Sequence, residues 1–415
     1  MMRLPITNTL SPRAIGWSIY HQALTQVNGR QCVATFLHQY PYQTPLALIA
    51  LGKAATSMAV GAFEVLGTGI SPAFIVTKRG HLDRQLIQNY PVTCLEAAHP
   101  LPDASSLAAG QALLKFINQL PPGLPILFLV SGGTSAIVEV LAPGITLSDL
   151  QSVNQWLLGS GLDIHAINKI RKSLSAIKGG RLATYLTGHP VLNLLISDVP
   201  GDDLRVIGSG LLTLHEEQPL PAALPNWLSA LTNQAVPLAP PSYFEYIVQY
   251  LVATPTLARQ GASEAAQQFN YPVFNHEEFI AGEATIAGRT LAQQLANSAP
   301  GIHIWSSETT VYLPPQPGQG GRCQSLALAA AIELAKQNDI CLLVAGTDGN
   351  DGPGHAAGAL IDGGTLQRGS QTGLNATTCL AQADAGRFLT ASGDLIYTGP
   401  TGTNVMDIII GVVLK

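Results

Sequence analysis

The stretch ILFLVSGGTS, from Ile126 to Ser135, constrains the fold of this chain more than any other feature. Residues 126–130 form an unbroken apolar run, which is typical of a strand buried on both faces of a sheet. The run stops at small and polar residues, where paired glycines allow backbone N–H groups to converge on one point. If a helix follows, its positive end faces the same point. The stretch therefore indicates an anion site or, alternatively, a tight turn between two buried elements.

Other apolar runs of the chain end in the same abrupt way. The residues that follow them are Gly52-Lys53, Ser197-Asp198 and Gly346-Thr347-Asp348. Strand patterns alternate with helical patterns, which predicts a parallel, doubly wound α/β sheet. Ligands of such sheets bind just beyond the carboxyl ends of the strands. We therefore predict that these residues border a binding site.

The length of the chain, 415 residues, predicts two domains. A proline-rich segment between Gln218 and Ser242 marks the predicted boundary, which gives domains 1–240 and 241–415, with the last strand able to return to the first domain. In the second domain, Glu277–Ala296 is predicted to be helical.

Composition excludes several classes of function. Only 11% of the residues are charged, the formal net charge is −5, and no basic block is present, which argues against a nucleic-acid partner. No apolar run approaches the roughly 20 residues of a membrane span. The sequence starts without the apolar core of a signal peptide, and its five cysteines are scattered, so we expect a protein of the reducing cytoplasm.

The usual nucleotide-binding fingerprints are missing. Gly52-Lys53 lacks the upstream glycine and the following Ser or Thr of a P-loop, and no G-x-G-x-x-G motif is complete. A nicotinamide site of the common kind is therefore disfavoured. Lys53 follows a predicted buried strand, and its position suits either a ligand-binding group or a solvated helix cap.

Charged residues in three loops are further candidates. Asp198, Asp202 and Asp203 lie within SDVPGDD; the latter two suit an ordinary turn, whereas Asp198 directly follows a strand. Arg322, behind the glycines of GQGGR, matches a phosphate or carboxylate clamp, with surface charge as the alternative. The loop DGNDG that begins at Asp348 resembles a metal loop but lacks EF-hand spacing, so at least one of its aspartates is predicted to form a turn.

Several long motifs, taken in their order, resemble the type-2 glycerate kinase family, whose carboxyl-terminal module is called MOFRL. They are GKAATSMA (52–59), HPLPD (99–103), SGGTSA (131–136), INKIRKSLSAIKGGRLA (167–183), SDVPGDD (197–203), SETTV (307–311), GQGGRCQ (318–324), GTDGNDGPG (346–354) and TGPTGTNV (398–405). The resemblance implies a Rossmann-like amino-terminal domain, a smaller α/β MOFRL-type domain and an active site in the cleft between them.

The same resemblance implies ATP- and Mg²⁺-dependent phosphorylation of D-glycerate to 2-phospho-D-glycerate. By resemblance, the catalytic residues are Lys53, Asp198 and Arg322, and the ATP-binding residues are Gly52, Ser131, Gly132, Gly133, Thr134, Ser135, Gly320, Gly321 and Asp348. The metal ligands are unassigned, and the oligomeric state is open, a homo-oligomer included. The alternatives are a hydroxypyruvate reductase with a nicotinamide cofactor, a name often given to this family, and a non-catalytic binder of small anions.

The chain departs from the usual pattern of the family at a few motif positions, which are Thr134, Ser173, Ser306, Ser307, Cys323, His355 and Ala383. None of these changes removes Lys53, Asp198 or Arg322. They leave open the exact hydroxy-acid substrate and the carboxylates that hold the metal.

Overall fold

The computed structural model describes residues 10–162, 164–217, 219–221 and 223–414. The chain divides into two units. The amino-terminal unit comprises Asn28–Thr254 and Gly402–Asn404, and the carboxyl-terminal unit comprises residues 10–27, Pro255–Thr401 and residues 405–414. The first residues of the chain, on which the signal-peptide expectation rests, lie outside the described residues, as do Gln218 and Ala222 of the proline-rich segment.

Six parallel strands form the sheet of the amino-terminal unit. They are β1 (Leu46–Leu51), β2 (Ile70–Lys78), β3 (Val92–Ala97), β4 (Ile126–Val130), β5 (Val191–Ile196) and β6 (Ile247–Ala253). Their order, β3-β2-β1-β4-β5-β6, is that of a Rossmann sheet. Every residue of β1, β4 and β5 is buried, so both faces of the sheet are covered. The predicted Rossmann-like, doubly wound domain is confirmed.

The second sheet also has six strands but is mostly antiparallel. They are β7 (Val273–Glu283), β8 (Gly301–Thr310), β9 (Ile340–Gly346), β10 (Gly358–Asp362), β11 (Leu395–Ile396) and β12 (Asp407–Val413). The order is β11-β10-β9-β12-β8-β7, and β7 pairs with β8 in parallel. Helices cover this sheet as well, which gives a second α/β unit.

The α-helices connect and cover the strands. They are α1 (Pro12–Gln26), α2 (Gly29–Gln39), α3 (Ala55–Leu66), α4 (Arg84–Ile87), α5 (Ala104–Asn118), α6 (Thr134–Ile137), α7 (Leu147–Gly159), α8 (Ile164–Ser173), α9 (Asn226–Thr232), α10 (Pro255–Ala266), α11 (Ala284–Ala296), α12 (Arg322–Glu333), α13 (Thr365–Ser370), α14 (Ala376–Ala381) and α15 (Ala385–Ser392). Within the described ranges, none of them has the length and apolar character that a bilayer crossing requires.

The predicted domain limits differ from the two units. Strand β6 lies beyond the predicted boundary at residue 240 yet pairs with β5, so the amino-terminal unit continues to Thr254. Helix α1 belongs to the carboxyl-terminal unit, where Ile15, Ile19 and Tyr20 join the apolar core of the second sheet. The Tyr20 hydroxyl also donates to the backbone oxygen of Gly346 at 2.8 Å. The prediction missed both features because they depend on packing partners far away in the sequence.

The last strand does not return to the first domain. Strand β12 is fully buried and pairs with β8 on one side and β9 on the other, in the middle of the second sheet. Of the described residues after Thr254, only Gly402–Asn404 belong to the amino-terminal unit. The predicted helix over Glu277–Ala296 is also wrong in its first part, because residues 273–283 form β7 and the helix begins at Ala284.

Aromatic and histidine rings stack on one another on β7 and β8 of the carboxyl-terminal unit. His276 stacks on Trp305 with ring centroids 4.2 Å apart, and His276 Nε2 lies 3.1 Å from His303 Nδ1. His303 Nε2 lies 3.0 Å from the backbone oxygen of Ala299, which can only accept, so Nε2 carries the proton. Burial lowers the pKa of His303, and burial followed by the neighbouring His303 lowers the pKa of His276.

We expect the free energy of unfolding to fall as pH drops below about 6.5, the ordinary histidine value. The unfolded chain takes up protons there while the folded rings stay neutral, so protons favour unfolding. The variant His276→Phe keeps a ring against Trp305 and removes one titrating group, so its thermal midpoint should fall less between pH 7.5 and 5.5. Equal falls in the variant and the parent would contradict this explanation.

Candidate active site

The glycine loop, residues 131–135, lies where the strand order of the first sheet reverses, between β1 and β4. Backbone and side-chain hydrogen bonds join the ends of these two strands. Ser131 N donates to Leu51 O at 3.0 Å, Lys53 N donates to Gly132 O at 3.0 Å, and Ala54 N donates to Ser131 Oγ at 3.0 Å. Ligands of Rossmann sheets bind at this point of the topology. The structure therefore brings Gly52, Lys53 and the glycine loop together, as the sequence predicted.

Two glycines of this region have left-handed backbones and close neighbours. At Gly52, with φ +115°, an added Cβ would lie 2.4 Å from the backbone oxygen of Ser131. At Gly133, with φ +84°, it would lie 3.1 Å from His99 Cδ2 and 3.2 Å from Lys53 Cγ. Lys53 and His99 therefore flank Gly133, and a side chain at either glycine would be strained.

The N–H groups of Gly132 and Gly133 donate to no residue within the described part of the chain. Gly132 is buried and Gly133 is half-buried, so both amides are able to serve an acceptor of a bound ligand. The helix that follows, α6, has only four residues. Its dipole is correspondingly small, so an anion at this point would be held by the two amides and Lys53 rather than by a helix terminus.

Asp198 approaches the glycine loop from the end of β5. Its Oδ2 accepts a hydrogen bond of 3.2 Å from Asn404 Nδ2, and Asn404 is only 6% exposed. Gly132 lies against both side chains, because a Cβ on this glycine would come within 2.0 Å of each of these two atoms. Three chain segments therefore meet here: the glycine loop, the end of β5 and the segment Gly402–Asn404.

The two hydroxyl residues of the glycine loop differ in their contacts. Thr134 is buried, and its hydroxyl donates to the backbone oxygen of Ser131 at 2.7 Å, which closes the loop on itself. The Ser135 hydroxyl lies 2.7 Å from that of Ser209, which has an unusual left-handed φ of 62°. Thr134 thus has a structural role in the loop, and Ser135 lies at its half-buried edge.

Asp203 is a turn former, as predicted. Its Oδ1 accepts from the backbone N of Arg205 at 2.9 Å, and its carboxylate also binds the Arg205 guanidinium. The hydrogen bond from the Arg205 side chain, first among several causes, lowers the pKa of Asp203. Asp198 alone of the SDVPGDD carboxylates accepts from Asn404.

Arg322 begins α12 in the carboxyl-terminal unit and is held by two carboxylates. Its Nε and Nη2 bind the two oxygens of Asp407 at 2.6 and 3.0 Å, and its Nη1 binds Glu308 Oε1 at 2.9 Å. Asp407 is buried, whereas the side chains of Arg322 and Glu308 are 36% and 34% exposed. Burial alone would lower the pKa of Arg322, but the charge of Asp407 outweighs it and raises that pKa. The guanidinium is therefore a fixed positive charge with one accessible edge.

The glycines before Arg322 make room for residues of the protein itself. A Cβ on Gly321 would lie 2.2 Å from Asp351 Oδ1, and one on Gly320 would lie 2.8 Å from Gly386 N. Asp351 caps α12 by accepting from Cys323 N and Gln324 N, and burial, followed by the charge of Asp407, raises its pKa to about 6. The nucleotide role of Gly320 and Gly321 stays a prediction, and the crowding around them has a structural cause.

Asp348 forms the turn that the DGNDG loop predicted, since its Oδ1 accepts from Asn350 N at 2.9 Å. No cluster of three or more His, Cys, Asp or Glu side chains suited to a metal ion occurs among the described residues. Mg²⁺ usually binds through one or two carboxylates together with substrate phosphates, so a dedicated cage is not required.

Reasoning from single residues missed His99, Asn404, Asp407 and Glu308. His99 lies in HPLPD and Asn404 in TGPTGTNV, so the motifs that carry the resemblance contained a signal for both. Asp407 reads as the polar start of an apolar run, which gives no indication that it binds Arg322.

Comparisons with known proteins agree with these observations. The family described as a domain of unknown function (DUF4147) matches residues 17–224, and the MOFRL family matches residues 301–407. The chain is 35% identical to a D-glycerate 2-kinase of Thermotoga maritima over 88% of this chain and 90% of the relative. It is 31% identical to an Agrobacterium vitis protein, provisionally named a hydroxypyruvate reductase, over 97% of this chain and 94% of that relative.

A solved structure has the same fold. The crystal structure of a glycerate kinase from Thermotoga maritima aligns with a TM-score of 0.80 at 32% sequence identity, covering 97% of this chain and 99% of that one.

Proposed function

Because the chain belongs to the glycerate 2-kinase family, we propose that it transfers a phosphoryl group from ATP to the 2-hydroxyl group of D-glycerate. The protein is an enzyme of the kinase class that phosphorylates glycerate. The observation that carries the proposal is the arrangement of Lys53, two glycine amides and Asp198 at the switch point of the first sheet. This set combines positive groups for phosphate with a carboxylate for a hydroxyl proton.

The residues around the glycine loop fit the phosphates of a nucleotide. The amides of Gly132 and Gly133 are donors that a phosphate oxygen can accept from, and an uncrowded backbone lets the phosphate approach closely. Lys53, half-buried beside Gly133, adds a positive charge. Phosphoryl transfer depends mainly on positioning and on charge around the moving group, and these groups supply both.

Mg²⁺ accompanies the nucleotide in this proposal and supplies charge neutralisation at the phosphate oxygens. Asp348 is the carboxylate of the predicted site that would bind it. The described part of the chain contains no cluster of three metal-binding side chains. The residues present therefore fit a Mg²⁺ ion that keeps several waters and binds the phosphates of the nucleotide.

Arg322 serves a negative charge of the substrates. Asp407 holds the Nε and Nη2 edge of its guanidinium, so the remaining edge, now on Glu308, is the one that meets an anion. A carboxylate or phosphate competes with Glu308 for this edge. Because the fork is fixed by the buried Asp407, it needs no reorganisation when the charge develops.

Asp198 acts on the attacking hydroxyl group. The glycerate oxygen loses its proton as it bonds to phosphorus, and a carboxylate within hydrogen-bond reach orients the hydroxyl and accepts that proton. Asp198 follows the fully buried strand β5, so its backbone is fixed near the carboxyl end of that strand. Arg205 already binds the turn carboxylate of Asp203, whereas the Asp198 carboxylate lies against Gly132 of the glycine loop.

A paired assay tests the reaction. Purified protein is incubated with D-glycerate, ATP and Mg²⁺, with ADP release followed, and separately with hydroxypyruvate and NADH. We expect ADP and, by ³¹P NMR, 2-phosphoglycerate rather than its 3-phosphate isomer. Oxidation of NADH without ADP formation would instead support the reductase activity suggested by the name of the Agrobacterium vitis relative.

The variant Asp198→Asn tests the base. The amide still accepts a hydrogen bond from the hydroxyl but cannot take its proton, so we expect kcat to fall by about two orders of magnitude or more, with KM for both substrates largely kept. A metal-binding role predicts a different result, in which the Mg²⁺ dependence shifts and excess Mg²⁺ or Mn²⁺ restores part of the rate. Wild-type turnover at saturating substrates would exclude both roles.

A further inference from the structure

Asn404 reaches the candidate site from a distant part of the sequence. It lies 206 positions after Asp198, in a segment of three residues that belongs to the amino-terminal unit although the residues on either side belong to the other unit. Its side chain is almost fully buried, and its Nδ2 donates to Asp198 Oδ2 at 3.2 Å. A buried amide directed at a strand-end carboxylate requires an explanation.

The segment that carries Asn404 is anchored at more than one point. Gly29 N donates to Gly402 O at 2.9 Å. Gly402 has a left-handed φ of +75°, and a Cβ added to it would lie 2.7 Å from Ser57 Oγ. Gly402 thus anchors the segment of Asn404 through contacts to Gly29 of α2 and to the Ser57 side chain of α3.

The glycine loop completes the fixation of the pair. Since a Cβ at Gly132 would come within 2.0 Å of both Asn404 Nδ2 and Asp198 Oδ2, the two side chains pack directly on the loop backbone. The carboxylate thus has the Gly132 backbone on one side and an amide donor on Oδ2. Rotation about its last bond is restricted by both contacts.

An amide suits this position chemically. Asn donates a hydrogen bond through its NH₂ group but does not ionise, so it orients a carboxylate without competing for the substrate proton. A second carboxylate here would repel Asp198, and an apolar side chain would remove the hydrogen bond to Asp198 Oδ2.

We propose that Asn404 is the positioning residue for Asp198: it holds the carboxylate against the glycine loop in the orientation in which the base meets the glycerate hydroxyl. The inference rests on the proposed role of Asp198 as the base. It adds a residue from the carboxyl-terminal end of the sequence to the catalytic arrangement of the first sheet.

Two substitutions in the full-length protein test this role. In Asn404→Asp, repulsion between two carboxylates should move the acid limb of the pH profile of kcat/KM upward by about one unit or more. In Asn404→Ala, kcat should fall by about tenfold to a hundredfold through misplacement of the base, with KM for both substrates little changed. The matched control is Asn375→Asp, where the side chain caps α14 by accepting from Thr378 N; Asp caps as well as Asn, so neither the profile nor the rate should move.

The outcomes separate the inference from the function. Thermal unfolding of each variant establishes that it is folded. If Asn404→Ala does not fold, the pH profile of Asn404→Asp still tests the positioning role. An unshifted pH profile in Asn404→Asp together with wild-type kcat in Asn404→Ala, while Asp198→Asn is impaired, would overturn the positioning role alone. Wild-type turnover in Asp198→Asn would overturn the base and the positioning role together.

Discussion

Replacement of Arg322 by alanine is expected to lower kcat by about two orders of magnitude or more, because a preorganised positive charge is lost from the transition state. The same change leaves Asp407, whose side chain is 4% exposed, as a buried carboxylate without its guanidinium. We therefore also expect a loss of about 3 kcal/mol in the free energy of unfolding, at the low end for a broken buried pair because the guanidinium is partly exposed.

A double variant separates these two effects. Arg322→Met combined with Asp407→Asn removes both charges, so stability should recover relative to Arg322→Met alone while turnover stays low. Arg322→Lys should not rescue turnover, since an ammonium group lacks the planar fork that binds Asp407 through two nitrogens and Glu308 through the third. Near-normal turnover in Arg322→Lys, measured by ADP release, would mean that Arg322 contributes only its positive charge and not the geometry of its guanidinium.

Gly132→Ala is the second variant for which we expect a large effect, a fall in kcat of about a hundredfold. The new methyl group would come within 2.0 Å of Asp198 Oδ2 and Asn404 Nδ2. Both atoms are the ends of side chains, which swing aside more easily than backbone, and the φ of Gly132 is not in the left-handed region. The protein should therefore fold, with its base displaced from the glycine loop.

Thermal unfolding and steady-state assays of Gly132→Ala measure the two consequences separately. The matched control is Gly159→Ala at the end of α7, where an added Cβ has no neighbour within 4 Å, and both its turnover and stability should stay close to the parent. Gly52→Ala provides a contrast, since its methyl group would meet the backbone of Ser131 at φ +115°, and we expect it to lose stability. Full activity in Gly132→Ala would mean that Asp198 does not need its present place.

Local signals in the sequence predicted much of the first sheet. The apolar runs that end at Gly52, Ser131 and Ser197 are β1, β4 and β5, and the switch point falls among them. Helix starts also carry local signals: Ser11 caps α1 through Ala14 N, and Thr146 forms a capping box with Asp149. Each of these features depends on residues close together in the chain, and so single-sequence reasoning reached them.

Strand β7 shows where local reasoning fails. Three of the residues 277–283 are Glu, which favours helices, yet the segment forms a strand because Phe279 and Ile280 pair with β8. The true start of α11 is signalled by Glu283, whose side chain accepts from Thr285 N and Ile286 N. Pairing with a partner strand outweighed the intrinsic preference.

The charged contacts of the candidate site were beyond prediction for the same reason. Arg322 and Asp407 are 85 positions apart, and Asp198 and Asn404 are 206 positions apart. A glycine in the sequence also does not reveal which group approaches it. Near Gly132 the neighbours are two candidate site residues, whereas near Gly321 the neighbour is the capping carboxylate of Asp351.

The placement of β12 has a consequence for biosynthesis. Strand β12 is made after every other strand of its sheet and fills the gap between β8 and β9, whereas α1, which packs in the same unit, is made before all of them. The apolar face of α1 therefore stays exposed on the nascent chain until the second sheet has been made. The strands of the first sheet are contiguous in the sequence, so that sheet is able to form earlier. Asn404 is translated after every strand of the first sheet, so a nascent chain stopped before it would carry the Rossmann sheet with the Asp198 carboxylate unpositioned.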